Sequence, residues 1–440
     1  MSKRICASLV LLLAMRAWSQ MAQGGAAGID TQMQLPPMVS GDAYPTEVGS
    51  EARSNYLSGG IGFQTAYYDN AYGGTSAGPV SDVSYSINPS INLSQTTPRQ
   101  RRTFSYSPGF IFFEPTSELN TINQSATGAY QYRMTPHLTI GANESFNKTS
   151  SIFSQNNGTL DSPVPGAQQP LGVVAPFANM ISNVTSGQMS YQFRLNSMIG
   201  GAGSYSKQSY GNQSQAAGLS NSSAGSALLF YSQRLGNSQY FGFRYQYARS
   251  LDILPAFGQS TTETQAFTPF YAIFFTRTLS LSLSGGPQYV NSVEPAPYGS
   301  FVSWVPTASA AIGWQGTRAS FSTGYSRSVW ELPGLFGAQE STNLNANARW
   351  LMSRTWSVGA NANYQTQKSA GPVAPIGSQS GHTVSGSVFT GHAISEHLQL
   401  SFGYNRMHQS YSGIATIANN PNSDQAYVSL SYRFTRPLGR

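Results

Sequence analysis

From about residue 56 to residue 435, apolar and aromatic residues alternate with Ser, Asn, Gln and Gly. That is the period-two pattern of strands with one apolar and one polar face. In segment 424–435, Ala426, Val428, Leu430, Tyr432 and Phe434 share one face, and Tyr427, Ser429, Ser431 and Arg433 share the other. In 83–94 the apolar set is Val83, Tyr85, Ile87, Ile91 and Leu93, opposed by Ser84, Ser86, Asn88, Ser90, Asn92 and Ser94. The pattern divides into eighteen expected strands, with sixteen as the alternative count. It is weakest at 97–120, where the turn 97–102 reads longer than its counterparts, and at 264–275, where both faces are apolar.

Alternation by itself fits a soluble sandwich as well as a barrel whose outside meets lipid. The connections separate the two. Short ones (134–137, 195–197, 235–238, 277–278, 315–317, 353–355, 395–397) alternate with long ones (69–79, 151–182, 211–221, 254–261, 291–301, 331–340, 369–381, 411–423). A transmembrane barrel sorts its links in this way, with tight periplasmic turns and larger outer loops. An even strand count then places both chain ends on the turn side. The expected fold is all-β: a transmembrane antiparallel up-and-down β-barrel spanning residues 56–440.

The N-terminus agrees with export. Lys3 and Arg4 precede an apolar stretch, 5–15, and Ala17-Trp18-Ser19 has the small-x-small form of a signal-peptide cleavage site, giving a signal segment 1–19. The stretch is about half the ~20 residues that a membrane helix requires. Cleavage removes Cys6, the only cysteine, so the remaining chain has no thiol for a disulfide or thiolate metal site. Residues 20–55, rich in Gly, Ala and Pro and without periodicity, read as a flexible periplasmic arm.

Composition excludes several function classes. Charged residues are 9% of the chain, against about 25% in ordinary soluble domains. Beyond residue 19 the balance is 21 basic to 17 acidic residues, a net of +4 with no clustered basic face, so a nucleic-acid partner is not expected. Gly200-Gly201-Ala202-Gly203 lies inside a strand with no helix following, and therefore lacks the helix N-terminus of a phosphate loop.

With the signal segment, the hairpin order and the final strand in view, the chain resembles bacterial outer-membrane β-barrel proteins, porin-like ones in particular, over residues 56–440. In that family the last strand carries an assembly signal. Tyr427, Ser429, Tyr432 and Phe434 stand at its places, with Ser429 replacing a Gly and six residues following Phe434. The resemblance implies outer-membrane lipid as surroundings, and barrel-assembly machinery and periplasmic chaperones as partners. It implies small polar solutes or glycans as cargo. In general porins the third outer loop narrows the lumen. Here the third long connection, 151–182, is the longest, and Asp161 is its only charge.

Candidate chemistry is sparse, and no cofactor is expected. Inward parity selects Arg133, Arg194, Arg349 and Arg433 near the periplasmic strand ends and Arg244 nearer mid-strand. Such a set favours anions through its field if it lines the lumen, or simply meets lipid headgroups and turn carbonyls if it does not. Four of the five histidines lie on one expected hairpin, and a turn near Glu396 sets His382 and His408 directly cross-strand on the outward face. The pair is a weak metal candidate without a carboxylate to orient it, and no nucleophile, base and orienting group come together as an enzyme requires. The function these features support is a passive channel. Its alternatives are a non-conducting or export-associated barrel for surface polysaccharide or envelope architecture and, third, an outer-membrane hydrolase.

Overall fold

The alternating segments pair as one continuous antiparallel ladder. A computed structural model describes residues 54–437 except 74–77, 156–172, 175–177, 212–218, 237, 255–257, 277, 296–298, 332–333, 336, 372–379 and 413–420. The expected segments 1–19 and, but for Ser54 and Asn55, 20–55 therefore lie outside the described residues. Eighteen strands follow in order: β1 (Ser54–Tyr68), β2 (Asp82–Thr96), β3 (Gln100–Phe113), β4 (Thr121–Arg133), β5 (Leu138–Thr149), β6 (Met180–Arg194), β7 (Ser197–Tyr210), β8 (Asn221–Arg234), β9 (Gln239–Leu254), β10 (Gly258–Phe274), β11 (Leu279–Val293), β12 (Ser300–Gln315), β13 (Ala319–Glu331), β14 (Ala338–Leu351), β15 (Trp356–Ser369), β16 (Ser380–Ala393), β17 (Leu398–Ser412) and β18 (Asn422–Pro437). Each pairs with its predecessor, and β18 closes on β1 from Tyr56↔Pro437 to Tyr68↔Gln425. Closure leaves no sheet edge, the condition for placing strands in hydrocarbon where an unpaired backbone group has no water to bind.

The two faces separate as the alternation requires. Phe63, Phe104, Leu229, Trp304, Leu344 and Val388 are exposed on the outside. Ser84, Ser86, Thr262, Thr264, Gln365 and Gln409 are buried on the inside. An apolar exterior around a polar interior is the wall of a transmembrane barrel, inverted relative to a soluble protein. Gly403 shows how the inner wall accommodates bulk: a Cβ there would lie 2.3 Å from the Tyr427 ring, so only glycine lets that ring lie across the neighbouring strand.

Two connections differ from the sequence reading. The expected long turn 97–102 is only 97–99: Thr97 and Gln100 exchange backbone hydrogen bonds, the Thr97 hydroxyl oxygen also accepts from Gln100 N–H, and Arg101 and Arg102 belong to β3. The expected loop 254–261 shrinks to 255–257 because the β9–β10 ladder runs on to Leu254↔Gly258. Four tight turns share one device. The hydroxyl oxygens of Thr135, Thr276, Ser353 and Ser395 each accept from two backbone N–H groups, two and three residues on. This closes the chain without glycine.

One hairpin leaves the wall. β13 and β14 pair throughout, from Ala319↔Trp350 to Glu331↔Ala338, but β12 and β13 pair only from Ala308↔Arg327 to Gln315↔Ser320. The outer part of the β13–β14 hairpin thus peels from β12 and folds inward. Gln288 on β11 holds it there, donating to Val329 C=O (2.8 Å) and accepting from Val329 N–H (2.9 Å). Val329 and Ala338 pack on Val290, with Phe301 and Val305 of β12 beside them.

Candidate functional site: the lumen

The inward fold divides the lumen into two halves. In the outer half, Leu335 of the β13–β14 connection, with no exposed surface, packs with Val173 and Ala178 of the β5–β6 connection, Leu219 of the β7–β8 connection, and Tyr210 and Tyr411 of the wall. Gln409 of β17 clasps Val174 through both its N–H and its C=O at 3.0 Å. Tyr210 donates to Val173 C=O (2.9 Å), and Ser220 donates to Leu335 C=O (2.7 Å). A helical turn, Ile152–Gln155, sets Ile152 with Val174 against Met407. The described parts of this third long connection therefore cross from β5 and β6 to β17, on another side of the barrel. Asp161 lies outside the described residues.

Between the wall and the folded hairpin lies a recess lined by Arg244, Gln246, Thr264, Thr268, Ser284, Gln288, Ser309, Arg327 and Trp330. Arg244 is only 8% exposed. It extends from β9 across the inner face, its Nε donating to Thr268 Oγ1 at 3.0 Å and an Nη donating to Ser284 Oγ at 3.5 Å. Both of these contacts are to neutral hydroxyls. Arg327 is instead paired with Glu340 at 2.7 Å. Toward the turn end the inner wall is open, and Asn361 and Arg194 are exposed.

Charge is sorted along the axis. Among the described residues, the turn end holds Arg133, Arg194, Arg349 and Arg433, the four picked out by parity, together with Arg99, Arg101, Arg102, Arg234, Arg318, Arg354 and Arg436, against the single acid Glu396. The loop half holds Asp69, Asp82, Glu114, Glu118, Glu144, Asp252, Glu263, Glu294, Glu331, Glu340 and Asp424, with Lys148, Lys207, Arg249, Arg327, Lys368 and Arg406 as its bases. Sequence reasoning found four of the eleven turn-end arginines because it selected by inward parity. The signal that finds the others is position: they stand in, or next to, the short links. Arg133, Arg194, Arg349 and Arg433 are on separate strands (β4, β6, β14 and β18), and Arg433 reaches Ser58 Oγ at 3.4 Å.

The histidine pair shifts register. His382 stands opposite Ser410, and His408 opposite Val384. The two are diagonal neighbours with ring centroids 5.5 Å apart on the outer wall, because the β16–β17 pairing is centred on residue 396, one residue beyond the point that makes them opposite. No group of three or more His, Cys, Asp or Glu residues suited to a metal occurs among the described residues. Of the expected assembly signal, Tyr432 and Phe434 face outward and are exposed, while Tyr427 and Ser429 face inward.

Fold and wall together define an outer-membrane β-barrel. Neither a protein-family model nor a curated protein sequence matches the chain. Solved structures similar in fold include the FrpB iron transporter of Neisseria meningitidis (8% identity, 88% of this chain and 82% of that one, TM-score 0.44). Others are Pseudomonas aeruginosa OpdK with vanillate (9%, 86% and 99%, 0.40) and Acinetobacter baumannii OccAB4 (10%, 87% and 98%, 0.42).

Proposed function

We propose that this barrel is a passive, porin-like channel for small polar or weakly anionic solutes, narrowed in its outer half by the inward-folded loops. The observation that carries the reading is Arg244, a lumen-wall cation hydrogen-bonded to hydroxyls of β10 and β11, with open polar wall between it and an arginine-rich turn-end mouth. A near-neutral wall of Ser, Thr, Asn and Gln exchanges hydrogen bonds with a passing solute, and a guanidinium on that wall biases the pore toward anions. The residues assigned to selectivity are Arg244 first, then Arg133, Arg194, Arg349 and Arg433. The test is conductance of purified, refolded protein in a planar bilayer under a salt gradient, comparing wild type with Arg244→Glu. A reversal potential moving toward cation preference is expected. An unchanged reversal potential in a conducting variant overturns the assignment.

The packed cluster around Leu335 favours a second reading, a closed barrel serving export or surface architecture, with the 20–55 arm engaging periplasmic partners. Conductance that stays absent in verified, heat-modifiable barrels supports that second reading. Loss of surface assembly on deleting the arm supports it as well.

A further inference from the structure

Large apolar side chains face lipid over most of the outer wall, but a band across the middle of β4–β8 is built from small ones. Cross-strand pairing sets one row as Tyr130–Ala142–Gly187–Gly203–Ala227–Tyr247. Four small residues thus lie side by side between two tyrosines, over roughly 14 Å at the usual strand spacing. The row above runs Gly128–Glu144–Thr185–Tyr205–Gly225.

Nothing in the barrel itself calls for these glycines. A Cβ at Gly128 or Gly225 would meet nothing within 4 Å, and at Gly187 or Gly203 only ordinary contacts at 3.8 and 3.6 Å. On the inner face, by contrast, Gly359 is covered by the Phe389 ring and Gly403 by that of Tyr427. Interior strand glycine is unfavourable through backbone entropy and lost packing, so the flat wall points to a surface that another backbone approaches closely.

A second observation concerns charge. Glu144 stands midway along β5 on this lipid-facing side, its carboxylate accepting from Asn183 Nδ2 (2.7 Å) and from the Thr185 hydroxyl. Lys148 and Lys207 lie toward the loop end of the same face, with no acid partner among the described residues. Elsewhere on the outer face Arg249 pairs with Glu263 and Arg406 with Asp424. An ionised group facing hydrocarbon is costly and is ordinarily covered by protein. A face carrying one carboxylate and two unmatched ammoniums beside a shallow trough is complementary to itself.

We propose that the β4–β8 wall is the interface through which this chain associates with further copies of itself in the membrane, burying Glu144 and its neighbours between barrels. The interface is independent of whether the lumen conducts.

The test has two arms on the whole protein. Single cysteines at Gly203 (β7) and, as an off-face control, at Leu283 (β11) are oxidised in native membranes. Separately, Gly187→Trp/Gly203→Trp protein is extracted in mild detergent, and its mass is measured by light scattering. Expected are a disulfide-linked pair from position 203 and not from 283, wild-type mass at a multiple of one chain, and a folded tryptophan variant at one chain. Single-chain wild-type mass with no cross-link at 203 overturns the proposal, as does a folded tryptophan variant that keeps wild-type mass. If the tryptophan variant loses its heat-modifiable band, the cysteine arm alone decides.

Discussion

Leu335 is the side chain on which closure of the outer half can be tested most directly. It belongs to a connection rather than a strand, yet it has no exposed surface and sits among Val173, Leu219, Tyr210 and Tyr411. Leu335→Ala removes three carbons, worth about 2.4 kcal/mol at about 0.8 kcal/mol for each buried methylene. A residual cavity adds to that within the usual range of about 2–5 kcal/mol. Where the loop exchanges between seated and unseated positions on a wall held by the barrel ladder, the loss falls on that equilibrium. At about 1.4 kcal/mol per factor of ten, the unseated fraction rises about fiftyfold. Single-channel recordings of refolded protein read this as open probability. Leu344→Ala serves as control, since Leu344 faces outward at 48% exposure and touches no lumen loop. A folded, heat-modifiable Leu335→Ala barrel whose openings match those of wild type and of the control would refute the idea that this cluster closes the pore.

Further predictions follow the same contacts. Gln409→Ala leaves Val174 N–H and C=O without their partner, a loss of about 2–3 kcal/mol, and hydrogen exchange of peptides covering 173–174 should accelerate more than tenfold; wild-type protection would contradict it. Glu294, in the β11–β12 connection against Gly337, has its carboxyl pushed up by burial. Its neutral form is favoured in the folded chain, so its contribution to loop packing is greatest in acid and falls as pH rises through the raised value. Proteolytic nicking of these loops should increase from acid toward neutral pH, and Glu294→Gln should flatten that rise. Phe434→Ala removes an outward ring from the β1–β18 seam, where Phe434 lies over Gly59; slower appearance of the heat-modifiable band is expected, and unchanged assembly would remove Phe434 from the proposed signal.

The barrel was legible because its cause is local. Each strand repeats one apolar and one polar face, so eighteen ladders can be counted without knowing their neighbours. The errors fall where side chains override pattern. Thr97 tightens a turn that Pro98 and three nearby arginines make look long, and the β9–β10 ladder extends through residues that read as loop. The lumen was less legible. Arg244 stood out by parity, but its hydroxyl partners lie 24 and 40 residues away on β10 and β11. The inward fold of β13–β14 depends on Gln288 meeting Val329 backbone across 41 residues, a contact that no periodicity encodes. The β4–β8 trough was present in the sequence as scattered glycines. Only the register lines Gly187 up with Gly203 and shows that nothing fills the space above them.

Sorting of charge along the axis has an electrical consequence separate from selectivity. Among the described residues, eleven arginines face one acid at the turn end, while the loop half holds eleven acids and six bases. The two ends of the lumen therefore present fields of opposite sign, and in a conducting barrel an ion would meet a different barrier according to its direction of travel. Screening sets when this matters: the Debye length is about 30 Å at 0.01 M salt and about 3 Å at 1 M. Current–voltage curves should thus be asymmetric in dilute salt and approach symmetry in concentrated salt. Replacing Arg133, Arg349 and Arg433 by Gln should reduce the asymmetry, whereas Arg244→Gln should move ion preference more than asymmetry, because Arg244 lies between the two mouths. Asymmetry that persists unchanged at 1 M salt would point to moving loops rather than fixed charge as its source, and the arginine-rich mouth would then lose its place in the account of conduction.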